Sequence, residues 1–168
     1  MVWLGVGTLF LIAAMLGIRP YATSARDCDA PGNWKRQVEA CTQVIAADNP
    51  KSALAYNNRC QAYNQMDEPA KALPDCNAAI KLAPRNASAY NNRGWAYEIR
   101  KEFDLALADY DKAIEIDPKF ALAYANRGDV YAKKGDRARA VTEYRQALAI
   151  EPGNDVALNG LKKLGVRP

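Results

Sequence analysis

Four cysteines and the complete lack of histidine define the chemistry open to this chain of 168 residues. Cys28, Cys41, Cys60 and Cys76 are separated by 13, 19 and 16 positions. That spacing offers no closely placed thiolate pair, and there is no imidazole from which a zinc site is commonly built. Nucleophile systems of the Ser/His/Asp and Cys/His kinds are excluded with histidine. Among carboxylates, Asp109 and Asp111 lie on different faces of one helical stretch, and Asp104 and Asp129 belong to different stretches. No glycine-rich phosphate loop is present. The residues therefore predict no catalytic centre, no metal and no cofactor. An even number of cysteines instead offers disulfide chemistry, with three pairings open.

Asparagine is the other residue whose recurrence calls for a reason, because it is a poor helix former. Asn58, Asn92 and Asn126 stand 34 residues apart, and so do Asn57 and Asn91. The same interval separates Pro50, Pro84, Pro118 and Pro152, Tyr56, Tyr90 and Tyr124, Arg59, Arg93 and Arg127, and Ala72, Ala106 and Ala140. A strict period of this length is one supersecondary unit copied along the chain, each copy burying its apolar face against a neighbour. Within a unit, apolar residues at helical spacing form two blocks around a polar turn. Helices are predicted over 53–66, 69–82, 87–100, 103–116, 121–134 and 137–150. Asp104 and Asp136 are expected to cap second helices, Pro69 suits a first helical turn, and the periodic prolines end each unit.

The segments YNNRCQAY, YNNRGWAY and YANRGDVY, each followed by the alanine and proline of the period, resemble the tetratricopeptide repeat. The resemblance covers 53–154 and implies an all-α solenoid of three helical hairpins, 53–86, 87–120 and 121–154. It places Cys60, Gly94 and Gly128 where the two helices of a hairpin touch. Glycine in a helix interior costs roughly 0.8–1.0 kcal/mol, so its use twice at one phase implies a close backbone approach. Cys76 faces Cys60 in this arrangement, and a Cys60–Cys76 bridge would offset the strain of Pro74 inside the same helix. The resemblance also implies that first helices line a concave surface. Asn57, Asn58, Asn91, Asn92, Trp95, Ile99, Asn126 and Asp129 then form a peptide-binding groove, with amides bonding an extended main chain and Trp95 and Ile99 anchoring an apolar side chain. Two roles stand open for the asparagines: bonding a peptide, or bonding the adjoining repeat. Arg59, Arg93 and Arg127 read as structural, with stems on apolar surface and heads in water. Family members that grip chaperone C-terminal carboxylates use basic residues on first helices. Here Asn57, Leu122 and Asn126 occupy those places, which disfavours that ligand.

Two flanks complete the stack. Val38, Cys41, Val44 and Ile45 repeat the phase of a second helix, so 34–47 is expected to be an orphan helix within a lead-in of 26–52. The stretch TSARDCDAPGN before it reads as irregular. A Cys28–Cys41 bridge would tie this lead-in down; four buried thiols in a reducing compartment are the alternative. Residues 155–168 form a capping helix and tail. Val2 to Ile18 is uncharged and apolar, and Ala22-Thr23-Ser24-Ala25 offers small residues for cleavage. Residues 1–25 are thus a signal peptide or, at about 17 apolar residues, a single-span anchor. Both readings put the repeats in the periplasm or outside the cell, as an exported protein of bacterial type; an anchor in the opposite orientation, with Arg19 following the positive-inside rule, is the alternative that keeps them inside. A net charge of +4 lies over helices of mixed sign, which read as solvated convex faces and exclude a nucleic-acid stripe. The function expected is non-enzymatic binding of a peptide or partner protein; the alternative is a self-associating structural module that dimerises through a terminal helix.

Overall fold

A computed structural model describes residues 21–30, 32–47 and 52–167. Residues 1–20, with the apolar segment expected to be a leader or anchor, lie outside these, as does Pro50. Among the described residues there are nine helices and no strand: α1 (Tyr21–Asp29), α2 (Trp34–Ala46), α3 (Ser52–Gln65), α4 (Pro69–Leu82), α5 (Ala87–Ile99), α6 (Phe103–Ile116), α7 (Ala121–Lys133), α8 (Arg137–Ile150) and α9 (Asp155–Lys163). None of them is long and apolar enough to cross a membrane.

Local chemistry sets the helix ends. The side chains of Asn33, Asn86, Asp136 and Asn154 accept from the backbone N–H three residues on and cap α2, α5, α8 and α9. Asp104 does not cap α6. Glu102 holds that place without a side-chain bond, while Asp104 sits within the first turn and accepts from Lys134 Nζ at 2.5 Å. The turn inside each hairpin depends on one left-handed residue at constant phase: Asp67 (φ 58°), Lys101 (φ 60°) and Gly135 (φ 82°). After it, the N–H groups of Glu68, Glu102 and Asp136 reach back to the carbonyls of Tyr63, Tyr97 and Tyr131, each at 2.9 Å.

Each first helix packs along its own second helix and also touches the first helices of neighbouring units. The second helices α4, α6 and α8 make no approach to one another. The stack therefore curves, with α3, α5 and α7 on its inner side.

The pairing within a hairpin turns on one small-to-large contact. A Cβ added at Gly94 would lie 2.8 Å from Tyr110 Cε1, and one at Gly128 would lie 2.8 Å from Tyr144 Cε1. Only glycine lets these fully buried rings lie against the facing backbone. Gly160 of α9 also lies against the Tyr144 ring. In the first hairpin the same two positions hold Cys60 and Cys76, which are bonded with Cα atoms 5.4 Å apart. The disulfide thus replaces the glycine–tyrosine contact, and α4 runs unbroken through Pro74.

The lead-in departs from expectation. Residues 23–29, expected to be irregular, lie within the helix Tyr21–Asp29. The orphan helix α2 therefore has a partner, fixed by Cys28–Cys41 with Cα atoms 4.7 Å apart. Arg36 adds a two-pronged bond to Asp27 at 2.9 and 2.8 Å, and Gln37 Nε2 donates to the Cys28 carbonyl at 2.9 Å. Tertiary bonds to α2 hold this short helix, which alone would be marginal.

Replacing both Cys60 and Cys76 by alanine is expected to lower the unfolding free energy by about 3 kcal/mol. Amide exchange should rise in α3 and α4 while protection persists in α8 and α9. Unchanged exchange in α3 and α4 would contradict this role for the bridge.

Candidate functional site

The asparagines are arranged by the stack itself. Asn92 Nδ2 donates to Asn57 Oδ1 and Asn126 Nδ2 to Asn91 Oδ1, both at 3.0 Å and both between consecutive first helices. Asn58 repeats the gesture at the start of the stack, where its Nδ2 reaches the Cys28 carbonyl and Asp29 Oδ1, each at 3.2 Å. Asn57, Asn91 and Asn92 are buried, and Asn58 and Asn126 half-buried. Of the two roles open to this ladder, these bonds realise the one between adjoining repeats. Asn64 joins it by donating to the Asn92 carbonyl at 2.7 Å.

A second ladder runs along the seam between first and second helices. Arg59 donates twice to Asp75 at 2.7 Å, and Arg93 twice to Asp109 at 2.8 and 2.7 Å. Arg127 donates to both Glu143 oxygens at 2.9 and 2.8 Å. The remaining prong reaches the preceding second helix: Thr42 at 2.8 Å, Asn77 at 2.8 Å and Asp111 at 2.6 Å. Each guanidinium also lies over the tyrosine three residues earlier, 5.4 to 5.7 Å from Tyr56, Tyr90 and Tyr124. The arginine heads, expected in water, are only 17–23% exposed. Asp109, expected on a solvated face, is buried beneath Arg93. The signal was present in the sequence, as an acid 16 residues after every periodic arginine.

Carboxylates close the inner side of the second and third hairpins. Tyr110 donates its hydroxyl to Glu98 Oε2 at 2.6 Å, and Lys133 Nζ donates to Glu98 Oε1 at 2.7 Å. Tyr144 donates to Asp129 Oδ1 at 2.5 Å. Burial lifts the Glu98 carboxyl above its ordinary range, opposed by Lys133 and Tyr110 and assisted by the nearby Asp129 charge. Burial likewise raises Asp129, against the Tyr144 hydrogen bond and the Lys133 and Lys163 charges. Both tyrosine hydroxyls are held neutral, chiefly by burial.

What the inner face leaves available is mixed. Trp95 and Ile99 are half-buried one turn apart on α5, and Asp129 occupies the same phase as Trp95 on α7. Leu54, not singled out by its sequence, is 43% exposed on α3, one and two turns before Asn58 and Gln61. Among the described residues there is no cluster of three or more metal-ligating side chains. The arrangement suits apolar anchoring beside scattered polar groups. Of the cations near it, Lys133 is bonded to Glu98.

Comparison with known proteins matches the tetratricopeptide repeat over residues 53–86 and 87–120 and, through a second profile of the same repeat, over 121–154. A segment of 34 residues is 56% identical to tetratricopeptide repeat protein 36 of Caenorhabditis elegans, covering 20% of this chain and 19% of that protein. The chain thus spans about a fifth of the length of the curated relative it matches. Among solved structures, the TPR domain of Arabidopsis OM64 is 30% identical, with 69% of this chain and 96% of that chain covered and a TM-score of 0.64. The first TPR of Spaghetti (RPAP3), bound to HSP90 peptide SRMEEVD, is 25% identical over 70% of this chain and 93% of that chain, with a TM-score of 0.63.

Replacing Asn92 by alanine leaves the buried Asn57 Oδ1 without its donor and is expected to cost about 1–3 kcal/mol, read by denaturant unfolding. An unchanged midpoint would refute the inter-repeat role. A raised folded-state pKa means that Glu98 contributes stability fully below the ordinary value of 4.5, and that this contribution fades as pH rises through the raised value. The stability difference between wild type and Glu98→Gln should therefore shift against wild type as pH rises across that window. A difference independent of pH would contradict the assignment.

Proposed function

Because the chain belongs to the tetratricopeptide repeat family, we propose that it is a non-enzymatic scaffold that holds a peptide segment or partner protein on the inner face of α3, α5 and α7. The observation that carries this reading is the half-exposed pair Trp95 and Ile99, set on a curved face whose surrounding amides are bonded internally. A rigid apolar anchor beside fixed polar groups is the common anatomy of an interaction hot spot. The RPAP3 domain bound to HSP90 peptide supports a peptide ligand in general. The ligand chemistry differs, however. Asn57 and Asn126 are bonded within the ladder and Lys133 neutralises Glu98, so these groups are not left to grip a terminal carboxylate. An apolar or aromatic side chain seated on Trp95 and Ile99, with its main chain passing Gln61 and Asp129, fits better.

The same reading places the repeats outside the cytoplasm, as an exported protein released by cleavage or held by a single span. Two buried disulfides in a domain of this size support an oxidising compartment.

The test is capture from an envelope fraction by crosslinking, comparing wild type with Trp95→Ala/Ile99→Ser. Loss of the anchors should reduce capture at least about tenfold, the scale of one to two hot-spot side chains, with the helical circular dichroism unchanged. Equal capture by a folded double variant would remove the inner face as the binding surface.

A further inference from the structure

The last helix among the described residues occupies the first-helix place of a repeat unit. Asp155 begins α9 at the phase where Ala121 begins α7, and α9 packs on α7 and α8 as α7 packs on α5 and α6. On α7, the face that receives its second helix is made by Tyr124, Ala125 and Gly128. Tyr124 and Ala125 join the cluster of Ala140, Tyr144 and Ala147, and Gly128 meets the Tyr144 ring. The residues of α9 at those phases are Leu158, Asn159 and Lys162.

That seat has a second wall. The chain leaves α9 through Gly165 in the left-handed region (φ 65°), where the Val166 N–H returns to the Leu161 carbonyl at 3.0 Å. The tail then closes a groove of about 460 Å³ lined by Leu158, Asn159, Lys162, Gly165, Val166 and Arg167. Leu158 and Val166 supply the apolar part. Lys162 and Arg167 make no ion pair among the described residues, unlike Arg127, Lys133, Lys134 and Arg139. No carboxylate lines the groove. Although individual helices mix signs, acids and bases balance over residues 1–120, so the +4 of the chain lies wholly in residues 121–168.

We propose that this groove docks an acidic amphipathic helix from a partner protein, laid along α9 as a second helix lies along its first. The helix lays apolar residues on Leu158 and Val166 and directs carboxylates at Lys162 and Arg167. Lys162 selects the partner. At the phase where Gly128 admits a tyrosine ring, a long cation blocks the tight seating of an ordinary repeat helix and rewards a negative one instead. The site lies at the end of the stack, separate from Trp95 and Ile99, and stands independently of the inner face.

The probe is a fluorescein-labelled amphipathic peptide of 14 residues, the length of α8, with leucine and alanine on one face and glutamate on the other. Its binding to the full chain is followed by anisotropy, and its helicity by circular dichroism. Wild type should bind it with a rise in helicity, and the K162E/R167E variant should bind at least about tenfold more weakly. A lysine-for-glutamate version of the peptide should show the reverse preference, which keeps the test valid if the variant is less stable. Equal binding of both peptides by both proteins, or no binding to wild type, would overturn the proposal. A wild-type dimer in sedimentation equilibrium that K162E/R167E dissolves would also overturn it, by assigning the groove to a second copy.

Discussion

The fold depends on how closely the two helices of each hairpin approach at one position. In the second and third hairpins a glycine admits a buried tyrosine ring against the backbone, with hypothetical Cβ distances of 2.8 Å that no larger residue tolerates without movement. In the first hairpin a disulfide spans the same place, and Cys28–Cys41 ties the hairpin before it. Three chemical solutions serve one geometric requirement along a single chain: packing, crosslinking between long helices, and crosslinking of a short helix onto a longer one. The core is otherwise alanine-rich, and Tyr110 and Tyr144 are its largest fully buried side chains. Without rings or crosslinks at this contact the helices would face one another across small side chains, with little to define their separation.

Once hairpins have a fixed thickness, polar ladders can run through them in register. Each periodic arginine joins its own second helix to the preceding one, and each ladder asparagine joins its first helix to the one before. Buried charges of this kind are costly when solitary and tolerable when each partner is saturated, as in the two-pronged Arg93–Asp109 pair. Their contribution is therefore less to bulk stability than to the rotation of one unit against the next. That rotation brings Trp95 and Asp129 to adjacent places on the inner face.

The period was legible because every unit must satisfy the same contacts, so the residues making them recur at one interval. The Cys60–Cys76 pair followed from that phase, since both occupy the contact positions of a hairpin, whereas Cys28 lay in a stretch read as irregular. The helix Tyr21–Asp29 was not legible. It has no capping signal and too few residues to be stable alone, and it owes its form to Cys41, Gln37 and Arg36 on a neighbouring helix. Asp104 looked like a cap because its type fits; the backbone turns three residues earlier, where Lys101 accepts a left-handed conformation. The burial of Asp109 escaped notice because a charged residue on a mixed-sign helix is usually solvated, and only its separation from Arg93 distinguishes it. For the groove residues, the sequence held two uses for asparagine, and the choice rests on which neighbour stands within reach.

The most direct measurement of the central contact is a set of nuclear Overhauser effects in the labelled, oxidised protein. Close hairpin approach predicts strong cross-peaks from the Gly94 α-protons to the Tyr110 ring, and from those of Gly128 and Gly160 to the Tyr144 ring. Absence of these cross-peaks in a folded sample, with both tyrosine hydroxyl protons exchanging freely with solvent, would contradict the account.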